Sequence, residues 1–201
     1  MNQILRISGY IFHPLLMPLL GVVCYYAITP RFVEPQRMLA NVYAIATLTS
    51  FTPIITFLLL KNIGVVSSIH LSEVRERKYP LMIQVLLVLL IIKLIFKPYE
   101  DIELYYFFVG ILATSLTALF LVLFKFKMSL HQMAIAGVTI FLIGVSIHFN
   151  IKMLASISIL CITNGLVASS RLHTKSHTLL ELCFGFLIGA LPQFLLFGFW
   201  V

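Results

Sequence analysis

The residues whose types and spacing could support chemistry begin with a cluster near the end of the chain. Ser170 and Arg171 are adjacent, His177 follows after five residues, and Glu181 follows after three more. If a helix begins near His177, its imidazole and the Glu181 carboxylate share one helical face. The carboxylate can then accept one imidazole N–H, which leaves the other ring nitrogen as a nucleophile or base. The Arg171 guanidinium adds a planar fork suited to phosphate oxygens.

A second cluster places Lys127, Ser129 and His131 at alternate positions. Ser129 can donate a hydrogen bond to a phosphoryl oxygen, and His131 can donate a proton. A helix that begins here would add free backbone N–H groups and the positive end of its dipole. The cluster is therefore suited to bind an anion and to protonate a leaving group.

A third cluster supplies positive charge immediately before a helix. Arg75, Arg77 and Lys78 precede Pro80, which is well suited to the first turn of a helix. Phosphoryl transfer requires cations around the phosphate, a nucleophile in line with the leaving group, and a proton donor. The three clusters together hold these parts, although each basic residue taken singly is also typical of a membrane-protein loop.

The last cluster resembles the third motif of the type 2 phosphatidic acid phosphatase superfamily, Ser-Arg-x5-His-x3-Asp. The match falls on Ser170, Arg171 and His177, with Glu181 at the aspartate position. The resemblance implies that His177 attacks phosphorus and forms a phosphohistidine, while Glu181 orients it. It also implies a bundle of membrane helices, a membrane lipid phosphate as substrate, and no metal or other cofactor.

The other two clusters are similar to the remaining motifs of that family. The second motif, Pro-Ser-Gly-His, is matched at Ser129 and His131, and His131 would protonate the leaving group. In the first motif, Lys-x6-Arg-Pro, Arg77 stands for the arginine and His70 occupies the lysine position, for which Lys127 could substitute. The phosphate-binding residues predicted in this way are Arg171, Ser129, Lys127, Arg77, Arg75, Lys78 and Ser170.

The composition indicates that the protein is embedded in a lipid bilayer. Of the 201 residues, 61% are hydrophobic and 10% are charged, whereas a soluble domain is about a quarter charged. The sequence predicts an all-α transmembrane bundle of six to seven spanning helices, with residues 1–201 as one domain. The net charge of +7 then favours anionic lipid or a phosphorylated substrate over nucleic acid.

Seven apolar segments are long enough to be considered as spans of a bilayer, whose core needs about 20 residues. They cover residues 9–29, 40–60, 80–97, 104–124, 131–148, 152–169 and 178–200. Alternate crossing brings the three clusters to one end of the bundle, which we call the histidine end. The opposite end, which we call the acidic end, carries the loop at residues 97–103.

The sequence is compatible with two orientations and two kinds of activity. Nine Lys and Arg residues fall at the histidine end and five at the acidic end, but four of the nine are candidate phosphate ligands. The positive-inside rule therefore does not decide between the two orientations. The resemblance implies a bacterial inner membrane protein whose active site faces the periplasm. A non-catalytic binder or carrier of anionic lipids is the alternative, and the oligomeric state is not predicted.

Overall fold

The computed structural model describes residues 2–66 and 74–201, and this part of the chain consists of helices and their connections. The predicted all-α helical bundle is confirmed. His70 lies outside the described residues. The α-helices are α1 Asn2–Ile11, α2 Met17–Ile28, α3 Pro35–Ala46, α4 Thr52–Asn62, α5 Lys78–Leu94, α6 Ile102–Leu123, α7 Leu130–His148, α8 Leu154–His173 and α9 Leu179–Leu196.

Five helical segments in the described ranges are long and apolar enough to cross a bilayer, so the chain is an integral membrane protein. They are Pro35–Asn62, Ile102–Leu123, Leu130–His148, Leu154–His173 and Leu179–Phe199. The other two predicted spans correspond to shorter helices. α5 has 17 residues, and the apolar stretch that contains α2 covers Pro14–Ile28.

The first predicted span, residues 9–29, is divided between two helices. α1 ends at Ile11, turns follow, and α2 begins at Met17. Pro14 lacks a backbone N–H and disfavours a helical conformation at His13, so a helix cannot continue through this point. α1 is thereby separated from α2 and packs against α8.

α3 and α4 form one continuous helical rod that contains a π-helical turn at Thr47–Phe51. Pro53 follows directly in the first turn of α4. Because its missing N–H leaves one main-chain bond unmade, irregular winding at this point has an identifiable cause.

α7 forms the centre of the bundle and contacts α2, α8 and α9. The Phe107 ring of α6 stacks on the Phe141 ring of α7 with 4.2 Å between centroids. Gly185 and Gly189 of α9 allow close packing of α9 against the start of α7. A Cβ at Gly189 would lie 2.0 Å from the Met133 carbonyl oxygen of α7, so the two backbones touch here.

The acidic end is closed by a buried carboxylate. Glu103, whose side chain is 0% exposed, forms an ion pair with Arg31 at 2.7 Å and lies 3.3 Å from the His148 ring. The Tyr25 hydroxyl donates a hydrogen bond to the same carboxylate at 3.0 Å. These contacts join α2, α6, the end of α7 and the loop before α3 into one unit.

Candidate active site

A cavity of about 1070 Å³ opens among the helices at the histidine end. Its polar lining includes three histidines and four cationic side chains from separate parts of the chain: His13, His131, His177, Arg77, Lys127, Arg171 and Lys175. Its interior is mainly apolar and reaches Phe107 and Gln193. Gln193 lies 14 residues beyond the start of α9, or about 20 Å along the helix. The cavity thus has a charged mouth and a deep hydrophobic interior.

His177 and Glu181 form the contact that the sequence predicted. The His177 Nδ1 atom lies 2.7 Å from Glu181 Oε2, and the His177 side chain is 7% exposed. α9 begins at Leu179 with Thr178 as its N-cap, so His177 lies just before the helix. With Nδ1 donating to the carboxylate, Nε2 of the neutral ring carries the free lone pair. Nε2 is therefore the His177 atom that could act as a nucleophile.

Glu181 also has a purely structural task. The Thr178 hydroxyl accepts the Glu181 N–H at 3.3 Å, and Glu181 Oε2 accepts the Thr178 N–H at 3.4 Å. This is a capping box, for which the Thr-x-x-Glu sequence is the signal. The carboxylate that orients His177 is therefore fixed by the start of its own helix.

Two cations flank this pair on the cavity wall. Lys127 Nζ donates to the Ser176 carbonyl at 2.7 Å and lies 4.0 Å from Glu181 Oε2. Arg77 is buried, and its Nη1 donates to the Met128 carbonyl at 3.1 Å. Each bond holds a cation between segments that the sequence keeps far apart.

The electrostatics of this group act on His177. Burial lowers the pKa of His177 below its ordinary value of 6.5, and the positive charges of Arg77 and Lys127 add to this shift. The hydrogen bond to Glu181 opposes it. His177 is therefore neutral at pH 7, which is the state in which its ring can attack an electrophile.

His131 lies on the other side of the mouth and has a partner that the sequence did not predict. Its ring meets that of His13 edge to face, with 5.2 Å between centroids. The His13 Nδ1 atom accepts the Leu15 N–H at 3.3 Å, so the neutral ring carries its proton on Nε2. His13 reaches the cavity because the chain turns at Pro14, and no spacing in the sequence relates it to His131.

Arg171 packs against α1 at a residue without a side chain. A Cβ on Gly9 would lie 1.8 Å from Arg171 Nη2, so the guanidinium occupies the space that a side chain there would fill. Nη2 also donates to the Ser170 hydroxyl at 3.4 Å, and that hydroxyl donates to the Leu5 carbonyl of α1. Arg171 Nε is buried and has no hydrogen-bond partner among the described residues. This cation is held in position yet keeps donor capacity for a ligand.

The two predicted serines are placed differently from the histidines. Ser129 is the N-cap of α7, where its buried hydroxyl accepts the Gln132 N–H at 3.3 Å. Ser170 ties α8 to α1 as described above. Neither is among the residues that line the cavity. Their roles in phosphate binding remain predictions, while their structural contacts support the neighbouring His131 and Arg171.

The third cluster divides between two surfaces. Arg77 lines the main cavity, whereas Arg75 and Lys78 line a separate cleft of about 390 Å³. Lys78 Nζ lies 5.9 Å from the centre of the Tyr79 ring. The structure thus brings together His177, Glu181, Lys127, Arg77, His131 and Arg171, and leaves Arg75 and Lys78 apart from them.

Neither a metal-ligand group nor a known relative adds to this description. Within residues 2–66 and 74–201, no three His, Cys, Asp or Glu side chains converge as metal ligands would. No family model, curated protein or solved structure matches the chain. The interpretation of the site therefore depends on its geometry.

We expect Gly9→Ala to weaken anion binding without unfolding the protein. The new methyl group would overlap Arg171 Nη2, and a guanidinium at the end of a flexible side chain can move away at little cost. Loss of a charge-assisted hydrogen bond would weaken the binding of inorganic phosphate about tenfold. Calorimetric titration of the purified protein measures this. Gly165→Ala is the matched control, because nothing lies within 4 Å of its new Cβ. Equal phosphate affinity in both variants would contradict the placement of Arg171.

Proposed function

We propose that this protein is an integral membrane lipid phosphatase, a divergent member of the type 2 phosphatidic acid phosphatase superfamily. The observation that carries the proposal is the 2.7 Å contact between His177 Nδ1 and Glu181, beside a cavity that is also lined by four cations and His131. A histidine positioned by a carboxylate in a cavity lined by positive charge suits nucleophilic phosphoryl transfer. The motif resemblance supports the same chemistry.

The first step of the proposed reaction is attack by His177 on phosphorus. The Nε2 lone pair forms the N–P bond while the bond from phosphorus to the leaving oxygen breaks. Glu181 stabilises the positive charge that develops on the ring. His131 donates a proton to the leaving oxygen, so the lipid alcohol or lipid phosphate departs neutralised at that atom.

The second step releases the phosphate. His131, now without its proton, accepts one from water, and the hydroxide formed attacks the phosphohistidine so that the N–P bond breaks. Arg77, Lys127 and Arg171 would neutralise the phosphoryl oxygens through both steps. Such preorganised charge commonly supplies the largest share of catalysis in phosphoryl transfer.

The shape of the cavity supports a lipid substrate. The phosphate would occupy the charged mouth and the hydrocarbon chains would extend into the apolar interior. α4 forms one wall, contributing Pro53, Ile54, Thr56, Phe57, Leu58 and Leu60, although none of its residues is buried. This wall is therefore one helix thick and faces lipid on its outer side. Such a wall suits entry of a lipid hydrocarbon chain from the bilayer.

We expect His177→Ala to abolish phosphate release. Loss of a nucleophile that acts with its partners costs a factor of about 10³ or more. The assay measures phosphate released by purified protein from phosphatidic acid, phosphatidylglycerol phosphate and a polyprenyl diphosphate. Radioactive phosphate should also become trapped on wild-type protein as an acid-labile phosphohistidine. His173→Ala, at an exposed position near the site, is the control. Full activity of His177→Ala would rule out the nucleophile.

A non-catalytic lipid binder is the second candidate, and one observation favours it. Because Glu181 caps α9, its carboxylate has a structural role that requires no catalysis. This candidate predicts binding of lipid phosphates without turnover and without a phosphoenzyme. The same substrate panel distinguishes the two functions.

The pH dependence of kcat/KM gives an independent check on the pair. Because the pKa of His177 lies below its ordinary value of 6.5 and attack requires the neutral ring, the acid limb of the pH profile should lie below pH 6.5. Glu181→Gln removes the interaction that raises this pKa, so the acid limb should move to still lower pH as the rate falls. Both proteins are assayed on one substrate, so its own ionisation cancels in the comparison. An unchanged or higher acid limb in Glu181→Gln would contradict the pairing.

We propose further that the histidine end faces the periplasm across a bacterial inner membrane, as the motif resemblance implies. The test uses single cysteines in a variant whose three native cysteines are replaced by alanine. In intact cells, a membrane-impermeant maleimide should label His173→Cys at the histidine end. It should spare Tyr99→Cys, at a position 77% exposed at the acidic end, until the cells are opened. The reverse pattern would place the site in the cytoplasm.

A further inference from the structure

Several polar side chains in the apolar part of the cavity are not used by the proposed chemistry. Gln84 of α5 and Ser115 of α6 both line the cavity. Gln84 is the single polar residue between Leu81 and Ile92. Placing an amide in such surroundings costs free energy unless its hydrogen bonds are satisfied. These side chains therefore require an explanation.

The Gln84 amide has hydrogen-bonding capacity that the described residues do not use. Its Oε1 atom is buried and has no hydrogen-bond partner among the described residues. The neighbouring Thr114 differs, because its hydroxyl already donates to the Ile188 carbonyl at 3.3 Å. Gln193, deeper in the cavity, donates from Nε2 to the Phe107 carbonyl at 2.9 Å. Gln84 thus retains hydrogen-bonding capacity that its neighbours have used.

Gln84 and Ser115 also lie at similar depths. Gln84 is six residues from the start of α5, or about 9 Å, and Ser115 is eight residues from the end of α6, or about 12 Å. The two helices are packed antiparallel neighbours, so both positions fall on one level below the charged mouth. A ligand whose phosphate fills the mouth would bring its next few bonds to this level.

We propose that Gln84 and Ser115 form a subsite for the acyl linkages of an acylglycerol phosphate. This inference rests on the proposed function and names the substrate class of the same site. In such a lipid five covalent bonds, roughly 6 Å, separate phosphorus from the nearest ester carbonyl carbon. The Ser115 hydroxyl can donate a hydrogen bond to one of those carbonyl oxygens. The Gln84 amide can do the same through its N–H₂ group after a 180° rotation of the amide. A polyprenyl phosphate has no acceptor at this depth.

The test compares two lipids that differ only in these carbonyls. They are diacyl phosphatidic acid and the dialkyl ether analogue with the same chain lengths. Binding is measured in nanodiscs with the His177→Ala protein, so that affinity is read without turnover. We expect the diacyl lipid to bind about three- to tenfold more tightly, the contribution of one or two net hydrogen bonds. Adding Gln84→Leu or Ser115→Ala should bring this ratio towards one.

Thr114→Val is the matched control, because its hydroxyl is already bonded within the protein, and the ratio should persist in it. Equal binding of the two lipids, or a ratio unchanged by Gln84→Leu and Ser115→Ala, would overturn the subsite whether or not wild-type protein releases phosphate. A preserved ratio without turnover by wild-type protein would instead refute the phosphatase and leave the subsite in a lipid binder. Failure to bind either lipid would overturn both.

Discussion

The Glu181 residue fixes the geometry on which the histidine end depends. Its carboxylate meets His177 and the Thr178 N–H, and its carbonyl accepts the Ser129 N–H at 3.3 Å. One residue therefore sets the start of α9, the orientation of the imidazole, and the position of the start of α7 beside it. Gly185 makes this possible, since a Cβ there would lie 2.8 Å from the Ser129 carbonyl oxygen. The distance between the two predicted catalytic histidines follows from this single junction.

The second half of the mouth depends on α1 in a similar way. α1 is short and lies beside α8, where Gly9 leaves room for Arg171. The turn at Pro14 that ends this region also brings His13 to His131. A part of the chain that the sequence predicted as the start of a span thus becomes a wall of the site. The packing of α1 controls the position of the cation opposite His177.

The sequence predicted the bundle well because apolar length and helix signals are local. The ends of α6 and α7 agree with the predicted spans within two residues. Alternate crossing was sufficient to gather His131, His177 and Arg171 at one end. The pairing of His177 with Glu181 was also predictable from their spacing.

The remaining features depend on contacts between distant segments, which spacing does not encode. Ser129 and Ser170 match the motif in order, yet their hydroxyls are engaged in a helix cap and an interhelical bond. Arg75 and Arg77 are separated by one residue and face different surfaces, because a 3₁₀ turn at Val74–Arg77 precedes α5. His13 joins the site through a turn whose direction only tertiary packing determines.

The buried Glu103 cluster has a consequence for direction across the membrane. Its contacts with Arg31, Tyr25 and His148 occupy the acidic end, and the residues that line the cavity stop short of them. Among the described residues, the cavity therefore does not extend to the acidic end. A headgroup drawn into it would return to the same leaflet from which it came, and any water-soluble product would leave into the same compartment. If the proposed function holds, the fold would therefore separate chemistry on a lipid from its translocation.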